Sequence, residues 1–206
     1  MEARRLIKMN TNKRKLYLAS KSRQRINILR NLGVYFITLE PNIKEKRKGD
    51  PKQIAVLNAR LKAWSVADKV EHGCIIAADT LVVFNNEIIG KPLNQEDART
   101  IIRKLSGKWH RVITGMSVVL VPENMEFVDV VETKVKFKQL DEKEINFYVL
   151  TGEPLNKAGG YAIQGYASLF IEKIEGSFFN VVGLPIERLY LLLKKVGISL
   201  LEYISS

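Results

Sequence analysis

The 206-residue chain is long enough for one domain of two lobes with a sizeable core, and 46% hydrophobic with 27% charged residues is an ordinary globular composition that argues against disorder. A single cysteine, Cys74, excludes a disulfide framework and fits a reducing compartment; with only two histidines, His72 and His110, a His/Cys zinc site is all but excluded, so a metal would be held by oxygen ligands. The net charge of +11 predicts attraction to polyanions, either nucleic acid or a small phosphorylated ligand, but the basic residues are spread along the chain and not interleaved with aromatics as a single-strand platform requires.

Residues 1–14 form a basic extension without an apolar segment of signal-peptide length, and the longest apolar stretches are strand-sized. The expectation is a cytoplasmic protein, with no membrane span, a frayed N-terminal extension and a folded domain over 15–206. KLYLA (15–19) reads as a first strand, and SRQRINILRNLG as a helix from a serine cap, Ser20 or Ser22, to Gly33. VYFITLE is a second strand. Asp50-Pro51 opens a long helix reaching about Glu71, with Ile54, Val56, Leu57, Leu61, Trp64 and Val66 recurring at roughly helical spacing. CIIAA is apolar on both faces and so central, and it leads to a hairpin, LVVFNNEII, turning on Asn85-Asn86.

Asn94 starts a helix over QEDARTIIRKL, stopped by Ser106-Gly107. Two β-rich stretches follow; in the second, strict alternation from Thr133 to Phe137 predicts one face in water. DEKEINFYVL is a helix, TGEPLNKAGGYAIQG a glycine-rich loop, SLFIEKI a strand, and Pro185 opens the last helix. The alternation of elements predicts an α/β fold, a twisted mixed central sheet flanked by helices around a central cleft.

Four polar clusters stand at strand ends or in loops. In LASKSRQR, two serines and a helix N-terminus, with Arg23 and Arg25 in its first turns, suit a phosphate site, although serine is also the commonest plain helix cap. In the second, Asp79 sits at the mouth of the central strand and Lys91 follows the hairpin. A carboxylate holding metal or water, beside a cation for phosphate oxygens, suits phosphoanhydride hydrolysis; a plain Asp–Lys ion pair weighs evenly against it. The glycine-rich loop lets backbone approach a ligand and brings Lys157, but lacks the spacing of a Walker loop; the bland alternative is a surface loop. Glu45 stands in a polar loop, where most glutamates are simply solvated.

Taken in order, these segments resemble the Maf family of nucleoside triphosphate pyrophosphatases. The family's LAS-x-S-P-R-R segment is here Leu18 to Arg25, its ADT…GKP is Ala78-Asp79-Thr80 and Gly90-Lys91-Pro92, and its LSG-x-x-H-x-V-x-TG is Leu105 to Gly115. Its GEP-x-x-KAG-x-Y-x-I-Q-G matches Gly152 to Gly165, and I-x-GS…VVGLP matches Ile174 to Pro185, so the resemblance covers nearly the whole chain after residue 15.

The resemblance implies an inosine-triphosphatase-like fold and hydrolysis of nucleoside triphosphates at the α-phosphorus, releasing pyrophosphate. It makes Asp79 the catalytic acid–base residue. A Mg²⁺ or Mn²⁺ ion would be held by Asp79 and Glu45; Arg25, Lys91 and Lys157 would neutralise the phosphates and Ser20 hydrogen-bond them. Gln24, Thr80 and Gln164 fall at the family's specificity positions. Thr80 and Gln164 are as in the dTTP/UTP-preferring branch; Arg23 and Gln24 replace the family's proline and first arginine, and Asn156 replaces an acid. Family members are often homodimers and are tied to nucleotide-pool cleaning or cell-division arrest. The competing reading, a basic nucleic-acid-binding module without hydrolysis, rests on the +11 charge and leaves Asp79 and Glu45 unexplained. A regulator acting by contact would tolerate loss of Asp79.

Overall fold

The structure, a computed structural model, describes residues 13–204. Residues 1–12 of the basic extension lie outside the described residues; its last two are held against the far end of the chain. The Arg14 guanidinium pairs with Glu123, and the Tyr203 hydroxyl donates to the Arg14 carbonyl at 2.7 Å.

The elements, in order, are β1 (Lys15–Ala19), α1 (Arg23–Asn31), β2 (Ile37–Leu39), α2 (Pro51–Trp64), β3 (Gly73–Phe84), β4 (Glu87–Ile89), α3 (Gln95–Leu105), β5 (Trp109–Val121), β6 (Met125–Phe137), α4 (Glu142–Leu150), β7 (Ile171–Glu175), α5 (Phe178–Val182) and α6 (Ile186–Lys195). Seven strands form one mixed sheet in the order β2-β1-β3-β5-β6-β7, with β4 folded back on β3. β1 runs parallel to β2 and β3, and β3, β5, β6 and β7 pair antiparallel in turn. Among the described residues no helix is long and apolar enough to cross a membrane.

β3 is the spine of the sheet, and its run of branched and small residues is buried on both faces. On one edge it pairs with β5 from Gly73 to Val83. On the other, β1 covers it only as far as Ala19↔Ala77, and β4 begins only at Val82↔Ile89. Residues 78–81 therefore have no strand partner on that edge among the described residues, and the sheet carries a notch there. β4 returns on the Asn85-Asn86 turn, whose φ of 49° and 64° is the left-handed pair that asparagine tolerates and a tight hairpin needs.

Alternation along β3 sorts the core. Ile75, Ala77, Leu81 and Val83 face α2 and the segment after it. On the opposite face Cys74, Ile76 and Ala78 pack with α1 and α6, and Val82 and Phe84 with α3, α4 and the glycine-rich loop.

Two sequence expectations are corrected here. α2 stops at Trp64 instead of running to about Glu71, and a short 3₁₀ turn, Ala67–Lys69, follows. Nor is its buried stripe the large apolar set: Leu57 and Trp64 are each 37% exposed, while Ile54, Ala55, Asn58, Ala59, Lys62 and Ala63 face the sheet. The reason is contact distance. A Cβ on Gly115 of β5 would sit 2.3 Å from the Ala55 carbonyl carbon and 2.4 Å from the Val56 nitrogen, so the helix backbone lies directly on the sheet. Bulky side chains cannot fit where two backbones lie that close, and alanines, Ala55, Ala59 and Ala63, alternate on that face with Ile54, Asn58 and Lys62.

Candidate active site

A cavity of about 990 Å³ opens at the notch. All the residues singled out by the sequence line it: Ser20, Gln24, Arg25, Glu45, Asp79, Thr80, Lys91, Lys157 and Gln164. The notch explains the convergence. β1 ends at its near lip, so Ser20 and the start of α1 lie there; the β3–β4 hairpin ends at its far lip, so Lys91 does too. Seven lysines and arginines line the cavity against three acids, Glu45, Asp79 and Glu153, a strongly cationic balance.

Asp79 is not at a strand end. It lies inside β3, which continues through it to Phe84, and the mouth that the sequence suggested is the early end of the neighbouring β1. The residue is 3% exposed, and its carboxylate points to the α2 side. An unpaired carboxylate would be costly in that position; here Lys62 Nζ donates to Oδ1 at 2.5 Å and Asn58 Nδ2 donates to Oδ2 at 2.9 Å. The expected alternative of an ion pair with Lys91 is thus replaced by a pair with Lys62. Asn58 cannot turn its amide over, because its Oδ1 accepts from the Lys46 N–H at 2.8 Å and its Nδ2 also donates to the Lys46 carbonyl at 3.0 Å.

The same clasp fixes the loop carrying Glu45. Lys62 Nζ donates to Glu45 Oε1 at 2.7 Å, and Arg47 donates to Oε2 at 2.7 Å. Burial raises the Glu45 pKa, but the hydrogen bond and charge of Lys62, helped by Arg47 and Lys91, outweigh it and hold the group below the ordinary carboxylate value. Glu45 is therefore a half-buried anion coupled to Asp79 through one shared ammonium.

On the other face of the sheet, Arg25 reaches from the first turn of α1 to the Gly183 carbonyl at 2.7 Å and Thr80 Oγ1 at 2.9 Å. It is 9% exposed, and burial lowers its pKa against the opposing charges of Asp79 and Glu45. Thr80 Oγ1 also shares a hydrogen bond with Thr114 Oγ1 at 2.9 Å, across the β3–β5 register. Ser22, not Ser20, caps α1; the buried Ser20 hydroxyl accepts from the Ser22 N–H at 3.1 Å. The Ser22 hydroxyl donates to Gln24 Oε1 at 3.2 Å.

The glycine-rich loop is fastened at three points. The Gly159 N–H donates to the Gly90 carbonyl at 3.0 Å, next to Lys91, and Gly159 (φ 67°) sits where a Cβ would strike Val82 at 2.7 Å. The Glu153 carboxylate accepts from the Tyr148 hydroxyl at 3.0 Å and from the Tyr166 and Ala167 N–H groups at 2.7 and 3.2 Å, closing the loop on itself. Tyr161 shares a 2.8 Å hydrogen bond with His110 Nε2 of β5. Lys157 and Gln164 are carried on this anchored frame. Asn156 takes φ 66°, a left-handed conformation that asparagine adopts more readily than most residues.

Sequence reading missed Lys62, Asn58 and Glu153. A signal for the first two exists: they fall four apart on the stripe of small residues that the close sheet contact demands, where a solvated lysine has no business. For Glu153 nothing but the fold supplies the clue.

A family model described as Maf-like protein matches residues 15–196. The chain belongs to the Maf family. Among curated Maf relatives, the dTTP/UTP pyrophosphatase of Dictyoglomus thermophilum is 46% identical over 192 residues, covering 92% of this chain and 100% of that protein. The dTTP/UTP pyrophosphatase of Caldanaerobacter subterraneus subsp. tengcongensis is 44% identical over 88% of each chain. That of Thermosipho melanesiensis is 42% identical over 85% of this chain and 94% of its own. Among solved structures, the Staphylococcus aureus Ham1 protein superposes with a TM-score of 0.42 at 15% identity, over 60% of this Maf chain and 71% of its own.

Proposed function

We propose that this chain hydrolyses nucleoside triphosphates, dTTP and UTP first among them, to the nucleoside monophosphate and pyrophosphate. The observation that carries the reading is the Glu45–Asp79 carboxylate pair, bridged by Lys62 and lining a cationic cavity, in a chain 46% identical to a protein named dTTP/UTP pyrophosphatase. Arg25, Lys91 and Lys157 neutralise the triphosphate, and the Ser20 hydroxyl and the start of α1 bind its oxygens. Asp79 keeps a lone pair on each oxygen beyond the bonds from Lys62 and Asn58, enough to hold a water and take its proton as it attacks the α-phosphorus. Thr80, held by Thr114 and Arg25, and Gln164 and Gln24 at the cavity wall read the base.

The donor set fits a hard divalent cation. Glu45 and Asp79 come from different elements yet converge on one positive charge, and among the described residues no cluster of three or more acids, histidines or cysteines exists to build an all-protein cage. One or two carboxylates completed by phosphate oxygens is the usual arrangement for Mg²⁺. Held there, Mg²⁺ or Mn²⁺ would supply Lewis-acid polarisation of the phosphate and a more acidic water.

A nucleotide panel measured with Mg²⁺, and again after chelation by EDTA, tests this. The expected outcome is release of pyrophosphate with dTTP and UTP ranked high, abolished by EDTA and restored by Mg²⁺ or Mn²⁺. Full activity after exhaustive chelation contradicts the metal assignment. Tight, salt-sensitive binding of DNA or RNA with no triphosphate hydrolysed contradicts the whole reading.

A further inference from the structure

We infer that Lys62 is a resident counter-ion: in the nucleotide-free protein its ammonium takes the cation position between Glu45 and Asp79, and a divalent metal gains that position only together with a triphosphate. The inference rests on the proposed function and concerns how the site stays assembled without its ligands.

Lys62 Nζ lies 2.7 Å from Glu45 Oε1 and 2.5 Å from Asp79 Oδ1, and its side chain is 9% exposed. It therefore bridges the same two carboxylates that would ligate the metal. The bridge solves a folding problem, because buried Asp79 must have a cation whether or not metal is present. It also creates a competition. An ammonium and a dication a few ångströms apart repel strongly in a desolvated site, so free metal meets an occupied position. A triphosphate changes the balance by bringing several negative charges. Lysine's flexible four-carbon stem and third N–H let the ammonium move onto a phosphate oxygen while α2, seated on β5 at Gly115, stays in place.

The test is Mn²⁺ binding, read by electron paramagnetic resonance on nucleotide-free protein, for wild type and Lys62→Met. Wild type should bind Mn²⁺ no tighter than about 1 mM, the weak end for carboxylate sites. Lys62→Met should bind at least about tenfold tighter, a modest share of the repulsion removed, and adding Glu45→Gln should cancel the gain. Mn²⁺ alone should raise the melting temperature of Lys62→Met and leave that of wild type unmoved. Equal affinities in the two proteins overturn the inference. If Lys62→Met cannot be obtained folded, wild type decides alone: nucleotide-free binding tighter than about 1 mM overturns the inference, and binding no tighter than that supports it. Turnover of dTTP by the same wild-type preparation separates the failures. No hydrolysis sinks the proposed function, whereas hydrolysis with an unchanged Mn²⁺ affinity sinks only the role of Lys62.

Discussion

Asp79 is held by two donors that each have a second obligation: Lys62 also binds Glu45, and Asn58 also clasps the Lys46 backbone. Replacing it with asparagine therefore does more than remove a charge. The new amide nitrogen must face either the Asn58 NH₂, which cannot turn away, or the Lys62 ammonium. For Asp79→Asn the expected outcome is a turnover lower by at least about a hundredfold, the low end for a positioned acid–base group. Stability should fall by about 1–3 kcal/mol, the cost of a buried donor left unsatisfied. Turnover per folded molecule and urea unfolding on one preparation check both, and an unchanged turnover with lost stability contradicts the catalytic assignment. This residue was legible in the sequence because a lone acid inside an apolar run has few reasons to be there. Its partner was not: in a helix read from its leucines and tryptophan, Lys62 passes for a solvated charge, and only the closeness of sheet and helix at Gly115 turns that face inward.

At the scale of elements, the site exists because two strands of unequal length lie side by side. β1 has five residues and β3 twelve, so β3 outruns its neighbour and leaves an edge without a strand partner among the described residues before β4 begins. The sequence showed most elements and several caps, since Ser22, Asp50 and Asn94 announce helices by local chemistry. It could not show the notch, because register between strands distant in the chain leaves no local trace. The link between β5 and the glycine-rich loop is similarly non-local. His110 is 2% exposed, and burial, opposed by a backbone contact at Lys108, pushes its pKa from 6.5 down to about 4. The unfolded chain takes up a proton near 6.5 that the folded chain refuses until about 4. Its contribution to stability is thus complete above 6.5 and is lost as the pH falls toward 4, by up to about 1.4 kcal/mol per pH unit. Urea unfolding across this window should show that decline in wild type and a flatter profile in His110→Gln; identical profiles contradict the assignment.

For the whole molecule, a net charge of +11 finds its use in the cavity, where basic side chains outnumber acids seven to three. Other cations lie in surface ion pairs such as Arg103–Glu142 and Arg188–Asp129. Net charge alone left a nucleic acid and a small phosphorylated ligand equally open; the deep pair of carboxylates, which repels phosphate unless a cation intervenes, separates them. The central claim is that water held at Asp79 attacks the α-phosphorus. Hydrolysis of dTTP in water enriched in the heavy oxygen isotope, with products resolved by mass spectrometry, tests it most directly. The account predicts one heavy oxygen in the nucleoside monophosphate and none in the pyrophosphate; heavy oxygen in the pyrophosphate, or nucleoside diphosphate and free phosphate as the first products, would contradict it.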